Sequence, residues 1–148
     1  MTTIVATMEV MGADTMVFSD SKGMMYPASK LRRLGKKGIV GAAGDGGDCV
    51  RFMDWAATGF DPKKKPKFST GAGEEDESIL LLLNEEGIHL MATSDPYPEL
   101  IAKDYYAIGS GGKAAMGALA HGASIDEALE IASSIDPYTR PPFNLEKL

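Results

Sequence analysis

Residues Ser78 to Thr93, SILLLLNEEGIHLMAT, decide the fold. The apolar run through Leu83 stops at Asn84, Glu85 and Glu86 and resumes at Gly87. Two short apolar segments separated by a few polar residues read as a β-hairpin, so the sheet they belong to is antiparallel. Upstream, Lys30–Leu34 and Gly38–Ala43 read as a second strand pair around Gly35, Lys36 and Lys37. Earlier still, Thr3–Met8 and Thr15–Asp20 are β-rich on either side of Met11–Asp14, which carries turn chemistry. The chain is therefore expected to open with a hairpin and to place Thr2 at a strand end. Downstream, Asp104–Ile108 is one more expected strand.

Helical spacing occurs in three other places. Val50, Met53 and Ala57 mark a helix from Val50 to about Gly59, capped by Asp45 or Asp48. Ser110–His121 and Ile125–Ser134 are the other two, the last with Ser124 as N-cap and Glu127 three residues on, a capping box. Pro137, Pro141 and Pro142 then forbid continued helix. Residues 61–77, rich in Pro, Lys, Gly and Glu without periodicity, are an expected exposed loop. Strands grouped in hairpins and helices at separate places predict an α+β fold: a four-layer αββα sandwich of two antiparallel sheets, one domain over residues 1–148.

The charge pattern restricts the partners. With 15 Lys and Arg against 21 Asp and Glu, the net charge is -6, and the basic cluster Lys63, Lys64, Lys65, Lys67 is followed at once by Glu74, Glu75, Asp76 and Glu77. That is a solvated face rather than a nucleic-acid footprint. No apolar stretch is long enough to span a membrane and the N-terminus lacks the basic start of a secretory signal, so a cytoplasmic protein is expected. The single Cys49 and the isolated His89 and His121 make no zinc spacing, and neither a metal nor an organic cofactor is expected. His89 reads as a strand-surface residue, His121 as a helix-end residue, and Met24 and Met25 as packing residues. GSGGKA hints at a phosphate loop, but Ala107 and Ala114 stand where the Walker pattern needs Gly and Ser or Thr.

Four stretches, in this order, carry a resemblance: TTIVA from Thr2, KLRRL with GAAGDGGD over Lys30 to Asp48, YAIGSGGKAAMGAL from Tyr106, and ALEIASSIDPYT from Ala128. Together they resemble the proteasome β-subunit and HslV family of N-terminal nucleophile hydrolases. The resemblance implies a threonine peptidase whose nucleophile is Thr2 once Met1 is removed. The chemistry supplies a reason: a threonine hydroxyl needs a base, and an N-terminal threonine carries one in its own α-amine, which titrates near ~7.7–8.0. By the same resemblance Lys30 is the nearby ammonium, Asp20 the carboxylate that orients it, Gly44 the backbone donor to the tetrahedral intermediate, and Ser110 the serine that holds the amine. Ala42 falls where a substrate-pocket residue is expected, leaving room for a sizeable side chain.

Taken singly, each has an ordinary reading: Thr2 as a strand residue, Asp20 before Ser21, Lys22 and Gly23 as a turn, Lys30 before two arginines as a basic strand edge, and Gly44, Gly46 and Gly47 as a tight turn. The sequence also departs from the family. Ser134 stands in the register of an aspartate of the last helix, with Asp136 two residues on, and the proline-broken stretch between Gly59 and Ser78 replaces a second long helix, a reduced helix layer. The expected partners are a peptide or unfolded protein substrate, further copies of the chain in a homo-oligomeric ring, and an ATP-dependent unfoldase. Two alternatives stand beside this: a catalytically inactive structural homologue that forms a ring, and an amidohydrolase acting on small amides.

Overall fold

A computed structural model describes residues 1–19, 24–69 and 77–148. It is a mixed α/β structure whose strand pairs are all antiparallel among the described residues. One sheet combines β1 (Thr3–Thr7), β2 (Val10–Asp14), β10 (Tyr105–Gly109) and β11 (Phe143–Lys147) in the order β10-β1-β2-β11. A second runs β5-β6-β7-β8-β9, from β5 (Leu31–Arg33) and β6 (Ile39–Ala43) through β7 (Ile79–Asn84) and β8 (Gly87–Ala92) to β9 (Asp95–Ala102). β3 (Met16–Ser19) and β4 (Met24–Pro27) pair with each other. Three helices complete the described structure: α1 (Gly46–Ala57), α2 (Gly112–Ala120) and α3 (Ile125–Ile135).

Side chains alternate across a strand, and the two sheets use that alternation to feed three apolar clusters. Ile4 and Ala6 of β1 meet Leu81 and Leu83 of β7 in the cluster between the sheets. Val5 turns to the other side, against Leu119 of α2 and Leu129 of α3. Leu80 and Leu82 likewise turn outward, against Phe52 and Trp55 of α1. Leu81 and Leu83 are completely buried, and truncating such a leucine to alanine costs about 2–5 kcal/mol.

The central hairpin forms as its sequence predicts, with Leu83 opposite Ile88 and Asn84 opposite Gly87. The pair around Gly35–Lys37 also forms, with Leu31 opposite Gly41. α3 begins at its capping residue, the Ser124 hydroxyl accepting the Glu127 N–H at 3.2 Å. α1 starts at Gly46, before Val50, because the Asp45 carboxylate accepts the Asp48 N–H at 2.9 Å and caps the first turn.

Other expectations are corrected. Met11–Asp14 is not a turn but the body of β2. The chain reverses at Met8 and Glu9, where the Thr7 hydroxyl accepts the Val10 N–H at 3.3 Å. β4, β9 and β11 were not expected. Pro96 and Pro98 lie in β9, an edge strand, where a missing N–H costs no ladder bond. α3 has already ended at Ile135, just before Pro137, and Pro141 and Pro142 directly precede β11, the other sheet's edge. Within 61–77, the described residues include a short 3-10 turn at Pro62–Lys64, and the Phe68 ring centre lies 5.0 Å from that of Phe52. His89 is buried rather than on the surface, its Nδ1 without a hydrogen-bond partner among the described residues, whereas Met25 is more than half exposed.

Candidate active site

A cleft of about 350 Å³ opens beside the N-terminal end of β1, and Thr2, Lys30, Ala42, Gly44, Cys49 and Met53 contribute to its lining. Five of the residues singled out from the sequence gather here: Thr2, Lys30, Ala42 and Gly44 in the cleft wall, and Ser110 bonded to Thr2. Asp20 lies outside the described residues.

Lys30 precedes β5 and is only 7% exposed. An ammonium has three N–H groups to satisfy when buried. Here Nζ lies 3.0 Å from both carboxylate oxygens of Asp14, 2.8 Å from the Met16 carbonyl and 3.1 Å from the Met1 carbonyl. Burial lowers the Lys30 pKa from its ordinary value, while the Asp14 carboxylate pulls in the opposite direction. Asp14 is completely buried at the end of β2 and also accepts the Thr3 N–H at 2.9 Å. The carboxylate that meets this lysine among the described residues is therefore one that sequence reasoning assigned to a turn. An acidic residue ending an alternating segment, Val10 to Asp14, was the available signal.

On the other side of β1, the Ser110 N–H donates to the Thr2 carbonyl at 2.8 Å. The preceding Gly109 has φ 94, and a Cβ there would land on the Thr2 carbonyl, so only glycine lets β10 approach this closely. The Ser110 hydroxyl donates to Asp136 at 2.6 Å, and Thr139 donates to the same carboxylate oxygen at 2.6 Å. Because Thr139 spends its proton there, the 2.6 Å contact between Thr139 and Thr3 is a donation from Thr3, whose oxygen accepts the Gly111 N–H at 3.0 Å. Burial works against the Asp136 charge, but the bonds from Ser110, Thr139 and the Tyr138 N–H outweigh it and hold its pKa below the ordinary carboxylate value.

The partner of Ser110 is thus Asp136, not the residue at position 134. Ser134 is exposed and donates to the Ile131 carbonyl of its own helix at 2.7 Å. The helix ends at Ile135, and Asp136 as C-cap turns back toward the sheet, which a comparison made by helical register alone misses. The Asp136-Pro-Tyr-Thr139 spacing, a carboxylate with a hydroxyl three residues on, was the signal for the pair.

Gly44 is exposed at the cleft with φ 137, between β6 and the Asp45 cap of α1. A Cβ at this position would meet Ser78 at 2.5 Å from Oγ and 2.7 Å from Cα. Ser78, completely buried, supports the turn from beneath: its hydroxyl accepts the Asp45 N–H at 3.1 Å and its carbonyl the Thr93 N–H at 3.0 Å. Sequence reasoning passed over Ser78. Cys49, one turn into α1, has its thiol pKa pushed up to about 11, by burial first and by the nearby Asp45 and Asp48 charges, against a hydrogen bond with Ser78. It is an inert wall of the cleft rather than a nucleophile. Among the described residues no cluster of His, Cys, Asp and Glu is arranged to hold a metal ion.

No family model matches the sequence, and no curated protein matches it. The fold, however, is one that solved structures share over nearly the whole chain. The chain is similar to HslV from Trypanosoma brucei, with a TM-score of 0.72 and 22% identity over 98% of each chain. It is also similar to Thiobacillus denitrificans BPH, with a TM-score of 0.73 and 16% identity over 99% of this chain and 96% of that one. The same protein in complex with epoxomicin matches with a TM-score of 0.70 and 17% identity, over 99% and 97% of the two chains. No described helix is long and apolar enough to cross a membrane.

Proposed function

We propose that the protein is a cytoplasmic threonine peptidase of the N-terminal nucleophile type, with Thr2 as nucleophile after removal of Met1 and no cofactor. The observation that carries this reading is the Lys30 ammonium, held by Asp14 in the wall of the same cleft as Thr2 and bonded to the carbonyl of the residue before it. The structural likeness to a protein that binds epoxomicin adds to it. In this reading the sheets and helices stack as four layers in one domain over residues 1–148, with α1 forming the reduced layer; of the expected loop 61–77, residues 70–76 lie outside the described residues.

The steps follow from the residues. The Thr2 α-amine, kept neutral by the neighbouring Lys30 charge, takes the hydroxyl proton as Oγ1 attacks a peptide carbonyl. The Gly44 N–H stabilises the oxyanion. The C–N bond breaks as the amine returns the proton to the leaving amino group, leaving an ester on Thr2. Water, deprotonated by the same amine, hydrolyses that ester. Asp14 holds Lys30 in the role the resemblance gave Asp20, and Ser110, itself held by Asp136, steadies the amine. Removing Met1 also releases one Lys30 N–H toward Thr2. Ala42 leaves room in the cleft for a sizeable substrate side chain. The substrate is a peptide or unfolded protein, and copies of the chain form a ring served by an ATP-dependent unfoldase.

Intact mass before and after a peptide epoxyketone tests the nucleophile. One adduct on a chain lacking Met1, and none on Thr2→Ala, is the expected result. A chain lacking Met1 that takes no adduct removes the peptidase reading and leaves the inactive homologue.

A further inference from the structure

Thr15 joins β2 to β3 and is only 4% exposed. Both of its side-chain and carbonyl oxygens are committed. Oγ1 donates to the Pro142 carbonyl at 2.6 Å, and its own carbonyl accepts the Ala28 N–H at 2.7 Å. Its two chain neighbours supply the internal acceptors of the buried ammonium: Asp14 through its carboxylate and Met16 through its carbonyl. Ala28 stands two residues before Lys30, and the Ser29 hydroxyl donates to the Leu31 carbonyl at 3.0 Å across it. One residue therefore ties the acceptors of the ammonium, the segment that carries the lysine, and the chain leading into β11.

We propose that Thr15 is a positioning residue that fixes the Lys30 ammonium in the cleft by anchoring its acceptors to the segment before β11. The reason is geometric. Asp14 and Met16 flank Thr15 directly, so a displacement of Thr15 moves both acceptors together, and with them the charge felt at Thr2. The hydroxyl, not the bulk, is the working part: valine keeps the shape but removes the bond that ties Thr15 to the Pro142 carbonyl. The inference rests on the Thr2 reading, because its readout is the ionisation of the Thr2 amine. Other groups act on the same ammonium. Asp14 contacts it, Asp136 acts from beyond α3, and Cys49 faces it from α1, its thiol neutral near pH 7.

The test is the rate of epoxyketone adduct formation from pH 5 to 9.5 on chains lacking Met1. The wild-type rate falls on the acid side as the amine takes up a proton. With Thr15→Val the ammonium lies farther from the amine, whose pKa rises. The acid limb is then expected about half a pH unit higher, a roughly threefold lower rate at pH values below it. Thr15→Ser, which restores the donor, is expected to return the limb to the wild-type position. A residue of purely structural importance lowers stability without moving the limb, so a folded Thr15→Val chain whose limb coincides with that of wild type overturns the proposal. If the valine chain does not fold, Thr15→Cys replaces it, a similar volume with only a weak donor. Coincident limbs for Thr15→Cys and Thr15→Ser overturn the proposal equally. A wild-type chain lacking Met1 that takes no adduct removes the Thr2 reading and this proposal together, and is recognised by the failure of the wild type rather than of a variant.

Discussion

The Lys30 ammonium lies 3.0 Å from each carboxylate oxygen of Asp14, with the lysine 7% exposed and the aspartate not at all. A buried pair of this kind gains little over an apolar substitute, yet losing one partner strands the other charge away from water. The pair is thus a constraint on which substitutions the chain survives.

Asp14→Asn tests that constraint. It leaves the lysine buried beside a neutral amide, and the expected loss of stability is about 3–5 kcal/mol by urea unfolding. Replacing both residues, Asp14→Asn with Lys30→Met, removes the stranded charge and is expected to recover a substantial part of the loss. A double variant no more stable than Asp14→Asn alone contradicts the account.

Gly44→Ala is expected to fail twice over. Its φ of 137 is unfavourable for alanine, and the added methyl meets the backbone of Ser78. Forcing such a conformation costs about 1–3 kcal/mol, and displacing the donor at this turn lowers peptide hydrolysis by roughly 100-fold or more. Ser78→Ala, which removes the acceptor of the Asp45 N–H from a residue outside the cleft lining, is expected to lower kcat with little change in KM.

Acid stability reports on Asp136. Its pKa in the folded chain lies below the ordinary value of ~3.9 reached on unfolding, so the folded chain resists protonation there. The resulting stabilisation is fully present above the unfolded value and is lost as pH falls through the lower folded one. Ser110→Ala and Thr139→Val each remove a donor to this carboxylate. Unfolding measured from pH 6 down to pH 2 is expected to show a smaller acid-dependent loss in both variants than in wild type. An equal slope in all three chains excludes these hydroxyls as the cause of the shift.

Cys49 supplies a chemical probe of the cleft wall. With a thiol pKa of about 11, its thiolate fraction at pH 8 is roughly two orders of magnitude below that of a free cysteine. Alkylation by iodoacetamide is expected to be slower by at least that factor in the folded chain than in urea. Comparable rates in the two states mean that the thiol is not held as described.

Much of the fold was legible because local signals agreed with tertiary packing. Ile79–Leu83 and Gly87–Ala92 form the expected hairpin, and Ser124 starts its helix, since the same residues that favour these shapes also bury against α1 and β1. What stayed hidden depends on neighbours distant in sequence. Phe143–Lys147 becomes a strand only because β2 offers an edge, with Phe143 opposite Asp14. Lys30 and Ser110 could be singled out by resemblance, but Asp14 and Asp136 find them across separations of 16 and 26 residues, which no local spacing encodes. Asp136 was obscured further because helical register stops applying once α3 has ended.

The last strand also sets a timetable. Phe143–Lys147 lies against the strand that carries Asp14, and Thr139 and Pro142 bond to Thr3 and Thr15 near the beginning of the chain. A ribosome releases the first strand early and these closing residues late, so a nascent chain presents Thr2 long before the groups around it can be set. The cleft comes together only after residues 139–147 have left the ribosome.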